Sequence, residues 1–332
     1  MIYVLCPGNY KSGGPELLHQ LVYQLNLMKP NSAVVAYYGY KDKNHPYDSS
    51  LKHYVNDNWT LEEQIEDKKD NIIIIPETAV EKANNYLASK KYIWWLSVNG
   101  YLRRNSFKGM IKESQGRDLI YSVYAWLKRE VYNKNKIVEN ADLNLCQSYY
   151  AVDFLRKNNI PSNKVKYLSD YINEEYLKNS AKALDHKKEN IVLYNPKKGL
   201  KFTKKLISAS NFKWIPLVNL TNDQVLEKLE KSKVYVDFGD HPGKDRFPRE
   251  AAMSGCCIIT DKKGAAKFYK DVPIPSEYKY EDNKENIPKI LEKIKYCLNN
   301  YSKAINDFEG YRNYISSEKE LFVDDVQKIF GE

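Results

Sequence analysis

The residues best able to do chemistry concentrate in one stretch, Val234–Thr260, which reads VYVDFGDHPGKDRFPREAAMSGCCIIT. An apolar strand ends at Phe238. A loop with two glycines and three basic side chains follows (His241, Lys244 and Arg246), and Pro248 falls where a first helical turn tolerates it. Such a loop leaves backbone amides and the positive end of a helix outside the carboxyl edge of a sheet, where phosphates bind. Within it, His241 and Asp245 are the groups with acid–base capacity, and Gly243 permits close backbone approach. Glu250 stands four residues after Arg246, so it either serves a ligand or makes a surface pair worth about 0.3–0.5 kcal/mol.

Two shorter segments carry compatible chemistry. In Ile191–Gly199, IVLYNPKKG, Lys197 and Lys198 are compact point charges able to neutralise phosphate oxygens. The same residues, with Asn195-Pro and the final glycine, also suit a turn carrying solvated lysines. In Gly8–Glu16, GNYKSGGPE, the pair Gly13–Gly14 allows close approach to the start of a helix. The spacing departs from G-x-G-x-x-G, which disfavours a dinucleotide-dependent dehydrogenase. A fourth stretch, Tyr92–Lys136, is dense in aromatics and in Arg103, Arg104, Lys108, Lys112, Arg117, Lys128 and Arg129. It reads either as a basic surface for an acceptor or as core aromatics with a solvated charged face. No G-x-S-x-G elbow or histidine cluster appears, and His19, His45, His53 and His186 have no recognisable partners in the sequence.

The elements that must position these groups alternate. Short apolar runs at Ile2–Cys6, Ala33–Tyr38, Leu51–Val55, Asn71–Ile75, Tyr92–Val98, Leu143–Cys146 and Val165–Leu168 read as strands. Helical periods separate them at Pro15–Met28, Glu77–Ser89 and Tyr149–Lys157. A polar, aperiodic stretch at 179–190 reads as a linker after a first domain over 1–178. A second series follows, with strands at Ile191–Tyr194, Trp214–Val218, Val234–Phe238 and Cys257–Thr260 and helices at Phe202–Ala209, Asn222–Lys231 and Pro248–Ser254. This gives a second domain over 191–300 and C-terminal helices over 301–332 that are expected to pack back on the first. Strand–helix alternation of this kind predicts an α/β chain of two Rossmann-like domains with parallel sheets.

The formal charge of +9 is spread along the chain and fits anionic partners without selecting one. Five scattered cysteines read as buried thiols rather than a zinc or disulfide framework. The first residues lack a basic leader, and no apolar run is long enough to span a bilayer as a helix, so a cytoplasmic location is expected.

The segment Val234–Thr260 resembles the donor-site motif of GT-B glycosyltransferases, especially the retaining enzymes of family four. The resemblance implies two facing Rossmann-like domains with an interdomain cleft. It also implies transfer of a sugar from a nucleotide-diphosphate donor to a glycan or lipid-linked acceptor, without metal or cofactor. Glu250 in REAAMSGCCIIT matches the second motif glutamate, which in that family accepts hydrogen bonds from the donor ribose. Pro242 occupies the position of the first. Either Asp245 or His241 then supplies the missing polar group, or backbone amides of Gly243–Arg246 recognise the sugar. Asn195, Lys197 and Lys198 fall where the family holds the donor diphosphate, with Lys244 or Arg246 as substitutes for an arginine that is missing there. Gly13 and Gly14 match the Gly-rich turn of the first domain. No Asp-x-Asp pair of a metal-dependent GT-A site is present. Surface-polysaccharide synthesis and peripheral contact with the inner face of the membrane are expectations from the same resemblance, and no nucleic-acid partner is expected. The rivals are a sugar-nucleotide epimerase of this fold and a non-catalytic nucleotide- or nucleic-acid-binding protein.

Overall fold

A computed structural model of the chain describes residues 1–9, 12–105 and 136–331. Two compact units result: Met1–Asp170 together with the chain from Leu321 onward, and Tyr171–Glu320.

The first unit is built on a seven-stranded parallel sheet in the order β3-β2-β1-β4-β5-β6-β7. Its strands are β1 (Ile2–Pro7), β2 (Ala33–Tyr38), β3 (Trp59–Leu61), β4 (Ile72–Pro76), β5 (Lys90–Trp95), β6 (Leu143–Cys146) and β7 (Val165–Tyr167). The central strands are near-continuous apolar runs because both faces of a parallel sheet are covered, and Val4, Leu5, Ile73, Ile74, Ile75 and Ile93 are fully buried. Helix α1 (Gly13–Met28) lays Leu17, Leu18, Leu21, Val22 and Leu25 into the core. His19, which looked partnerless in the sequence, is buried on that helix between the Pro15 carbonyl (2.6 Å) and the Tyr37 hydroxyl (2.7 Å). Burial pushes its pKa down to about 4, so it is a neutral structural histidine.

The second unit carries a five-stranded parallel sheet in the order β12-β11-β10-β8-β9. Its strands are β8 (Glu189–Tyr194), β9 (Lys213–Pro216), β10 (Ser232–Asp237), β11 (Cys257–Asp261) and β12 (Lys279–Tyr280). Its helices include α2 (Leu200–Ser208), α3 (Asn222–Lys231), α4 (Arg246–Met253), α5 (Ile287–Asn299) and α6 (Glu309–Phe330). In each sheet the chain reverses its direction of travel once, between β1 and β4 in the first and between β8 and β10 in the second. The carboxyl ends of the strands flanking such a reversal leave a crevice, the usual ligand position of an open α/β sheet.

Three local expectations give way. Leu51–Val55 is not a strand but the end of a short turn and the helical residues Lys52–Val55. Asp48 caps that turn through the Ser50 amide, and left-handed Asn56 ends it; the strand comes later, at Trp59–Leu61. Glu77–Ser89 forms 3-10 turns over Glu77–Asn85, broken at Ala79, because the Glu77 side chain is buried and accepts the Leu96 amide. Of the stretch 179–190 read as a linker, the part up to Asp185 belongs to a helix over Glu174–Asp185, which Asn173 caps and which buries Tyr176 and Ala183, and Glu189 already opens β8. All five cysteines are buried and none forms a disulfide. Among the described residues no helix is long and apolar enough to cross a membrane. Of the basic and aromatic stretch Tyr92–Lys136, the part over 106–135 lies outside the described residues.

Candidate functional site

The second sheet supplies the site, at the carboxyl ends of β8, β10 and β11. After β8 the Asn195 side chain accepts the Lys197 amide at 3.0 Å and its carbonyl accepts the Lys198 amide at 3.3 Å, closing a tight turn. Gly199 ends the turn with φ +61 and caps α2. A Cβ there would stand 2.0 Å from the Phe238 carbonyl oxygen, so the turn after β8 is pressed onto the loop after β10. That loop begins with Asp237 accepting the Gly239 amide at 3.0 Å. It reaches His241 at φ +40 and enters α4 through Asp245. Gly264, in the loop after β11, meets it from the other side: a Cβ on this glycine would lie 2.0 Å from the His241 carbonyl oxygen. Three loops from three adjacent strands are thereby locked together without spare room.

Inside this lock sits a charge cluster that is only half visible in the sequence. His241 Nδ1 is 3.1 Å from Asp245 Oδ2, while its Nε2 is 3.7 Å from Asp237 Oδ1 and 3.5 Å from Asp261 Oδ1. Burial opposes the charged imidazole, but the Asp237, Asp245 and Asp261 carboxylates outweigh it and lift the pKa to about 9. Burial would likewise raise Asp245, yet its hydrogen bond to His241 and the charge of Lys198 bring it down to about 2. Asp261 is pushed up to about 7 by burial, against the pull of His241 and Lys263. The remaining cations complete the balance, for Lys198 Nζ lies 2.6 Å from Asp245 Oδ1 and Lys263 pairs with Asp282 beside Asp261. Asp237, His241 and Asp245 could each offer a metal-ligand atom, all within 4.8 Å of one another. The imidazole itself faces all three carboxylates and serves as their counter-charge.

These positions change what the candidates can do. The His241 side chain is only 1% exposed and faces the carboxylates of Asp237, Asp245 and Asp261. Lys244 is turned inward: its Nζ is buried 2.7 Å from Glu318 Oε1 and donates to the Tyr314 hydroxyl at 3.2 Å. Arg249 joins the same carboxylate at 2.8 Å and donates to the Lys244 carbonyl at 3.0 Å, so the loop is bolted to α6. The sequence reading missed Arg249 and Glu318 because 69 residues separate them. It also missed Asp237 and Asp261, although both are carboxylates that close a parallel strand, and that placement is itself a signal.

Lys197 is exposed on the turn after β8, and Lys198 stands beside it. Gly243 is buried in the loop, while Arg246 and Glu250 are half-buried on α4. Both lie near the Tyr176 hydroxyl, whose pKa is raised chiefly by burial, further by Glu250, and eased by Arg246. Gly13 and Gly14 belong to the first unit, where they open α1 beyond β1. A Cβ on Gly14 would meet only Leu96 at an ordinary 3.9 Å, so packing within the unit does not demand glycine there.

No family model and no curated protein matches the sequence. Solved structures do resemble the fold. Sucrose-phosphate synthase from Thermosynechococcus elongatus superposes with a TM-score of 0.66 at 12% identity, over 99% of this chain and 98% of that one. The lipopolysaccharide outer core galactosyltransferase WaaB gives 0.62 at 10% identity over 100% and 99% of the two chains. The Anabaena protein Alr3699/HepE in complex with UDP-glucose gives 0.56 at 10% identity over 100% and 99%. The chain thus has the α/β fold of two Rossmann-like units with parallel sheets that GT-B glycosyltransferases share.

Proposed function

We propose that the chain is a glycosyltransferase that moves a sugar from a nucleotide-diphosphate donor to a glycan or lipid-linked acceptor, in the manner of the retaining enzymes of family four. The observation that carries the reading is the coincidence, at the strand-order reversal of the second sheet, of a lysine-bearing turn and the amino end of a helix. Lys197 and Lys198 lie on that turn, and α4 begins at Arg246 on the neighbouring loop. Cations and the amino end of a helix at such an edge are what a leaving diphosphate requires, since its negative charge grows as the glycosidic bond breaks. In this reading Lys197 and Lys198 hold the diphosphate, Glu250 accepts the ribose hydroxyls, and backbone amides around Gly243 contact the sugar. Turnover proceeds without a divalent cation, and the acceptor is met in the cytoplasm at the membrane surface during surface-polysaccharide synthesis. The UDP-glucose carried by the HepE structure supports a sugar nucleotide as the class of ligand.

The test is a panel of nucleotide-diphosphate sugars scored for thermal stabilisation and for slow donor hydrolysis in excess chelator. One or more donors should raise the melting temperature and release nucleoside diphosphate in EDTA. A chain indifferent to every donor overturns the reading, and activity that EDTA abolishes and manganese restores overturns its metal independence.

A further inference from the structure

The lysine that this reading gives to the diphosphate already has an anion. Lys198 Nζ is 2.6 Å from Asp245 Oδ1, with the lysine side chain 35% exposed and the aspartate 14%. The pair therefore lies at the boundary of the protein, within reach of a ligand. Asp245 is held from behind through its second oxygen, 3.1 Å from His241 Nδ1. His241 in turn is fixed by Asp237 and Asp261 and donates from Nε2 to the Asp237 carbonyl at 3.3 Å. One carboxylate thus serves two cations, of which one is internal and locked and the other sits on a flexible four-carbon stem.

A second, independent feature concerns the helix that Asp245 begins. An aspartate at an N-cap ordinarily turns its carboxylate onto the first-turn amides. Asp245 has the extended backbone of an N-cap but makes no side-chain bond to α4; one carboxylate oxygen accepts from Lys198 and the other faces His241 Nδ1 at 3.1 Å. The carboxylate that would compete with an incoming anion for the helix amides is held aside. The loops pack closely here, since a Cβ on Gly199 or on Gly264 would stand 2.0 Å from a neighbouring carbonyl oxygen. The least disruptive change on ligand binding is a movement of side chains.

We infer that Asp245 is a positioning residue which holds Lys198 in place of the donor diphosphate, and that Lys198 exchanges this carboxylate for phosphate oxygens when donor binds. The inference rests on the proposed donor reading. His241 makes the exchange affordable, because a buried carboxylate abandoned by its lysine would otherwise be left without a counter-charge. The exchange also opposes binding, since the ligand must compete with an existing ion pair.

Calorimetric titration with UDP, GDP and ADP distinguishes the possibilities. Asp245→Asn and Asp245→Ser both release Lys198, and a neutral cap yields the helix amides to a diphosphate where a carboxylate would hold them. Each should bind the preferred nucleoside diphosphate about tenfold more tightly than wild type, which corresponds to ~1.4 kcal/mol. Lys198→Gln should bind about tenfold more weakly, and adding Asp245→Asn to it should restore nothing, because the gain requires the lysine. A merely structural aspartate would weaken binding on substitution, not strengthen it. Should both Asp245 variants fail to fold, the ζ-ammonium resonance of Lys198 in lysine-labelled wild type, assigned through Lys198→Gln, gives the same answer. It should move on saturation with the nucleotide, and a resonance that stays in place overturns the exchange. Wild-type binding with folded Asp245 variants equal to it or weaker overturns the exchange alone. No binding of any nucleoside diphosphate by any variant overturns the exchange and the donor reading together.

Discussion

A histidine enclosed by three carboxylates ties the stability of this loop to pH, and the direction follows from its partners. The His241 pKa is lifted to about 9, above the ordinary value of 6.5, so its contribution is complete below about pH 6.5 and is lost as pH rises through 9. Asp261, raised to about 7, acts in the same direction, since the form that burial favours is protonated and is lost as pH rises through 7. Asp245, lowered to about 2, acts at the acid end, where its contribution disappears as pH falls from the ordinary 3.8 through 2. Urea unfolding should therefore show wild type losing stability between pH 6.5 and 9.5, on the order of 3 kcal/mol of it through His241. His241→Asn tolerates the left-handed backbone and removes the titration. The gap between wild type and this variant should be widest near pH 6.5 and should narrow towards pH 9.5; parallel profiles would show that His241 is not the titrating group. The motif made His241 and Asp245 visible in the sequence, but their role was not. Whether a histidine faces a substrate or the interior depends on Asp237 and Asp261, which reach it from the ends of two separate strands.

Elements made of β-branched runs between turn residues were legible, as Ile72–Pro76 and Cys257–Asp261 demonstrate. Leu51–Val55 and Glu77–Ser89 were not, because side-chain bonds from Asp48 and from buried Glu77 set the backbone there and periodicity does not report them. The site followed the same rule. The turn Asn195–Gly199 and the helix after Asp245 could be placed by local residue types, whereas the burial of Lys244 required Glu318 from a distant helix. Two predictions belong to this scale. Gly199→Ala would place a methyl 2.0 Å from the Phe238 carbonyl oxygen on a left-handed backbone. It should cost at least about 2 kcal/mol by chemical denaturation and weaken nucleotide binding, because the turn carrying Lys198 must move away from the β10 loop. A fully stable variant with wild-type affinity would mean that the contact between the two loops is not obligatory. Glu318→Ala leaves the Lys244 and Arg249 cations buried around a missing anion. The expected loss is roughly 3–5 kcal/mol, accompanied by faster amide exchange over Pro242–Met253. A loss below about 1 kcal/mol would show that the two cations find water or another partner.

At the scale of the molecule, the last helix belongs to both units. The amino-terminal part of α6 gives Tyr311 and Ile315 to the core of the second unit and Glu318 to the bolt beneath the β10 loop. From Leu321 onward the chain is counted with the first unit, where the Phe330 ring lies 6.1 Å from that of Tyr92 on β5. Phe322 and Val326 in this terminal portion are fully buried. An isolated helical end of this length has almost no stability of its own, so it stays folded only through what it buries. Phe322→Ala should therefore cost about 3–5 kcal/mol, a large share of the 5–15 kcal/mol typical of a folded domain. Because Phe322 clusters with the first unit while Tyr311 and Ile315 remain in place, the loss should be uneven. Hydrogen exchange should quicken in β1, β4 and β5 while β8, β10 and β11 keep their protection, and nucleotide binding at the second sheet should survive at temperatures where the first unit has begun to open. Equal loss of protection in both sheets would show that the two units unfold as one cooperative body through this helix, and unchanged exchange in the first sheet would show that the terminal segment does not support it.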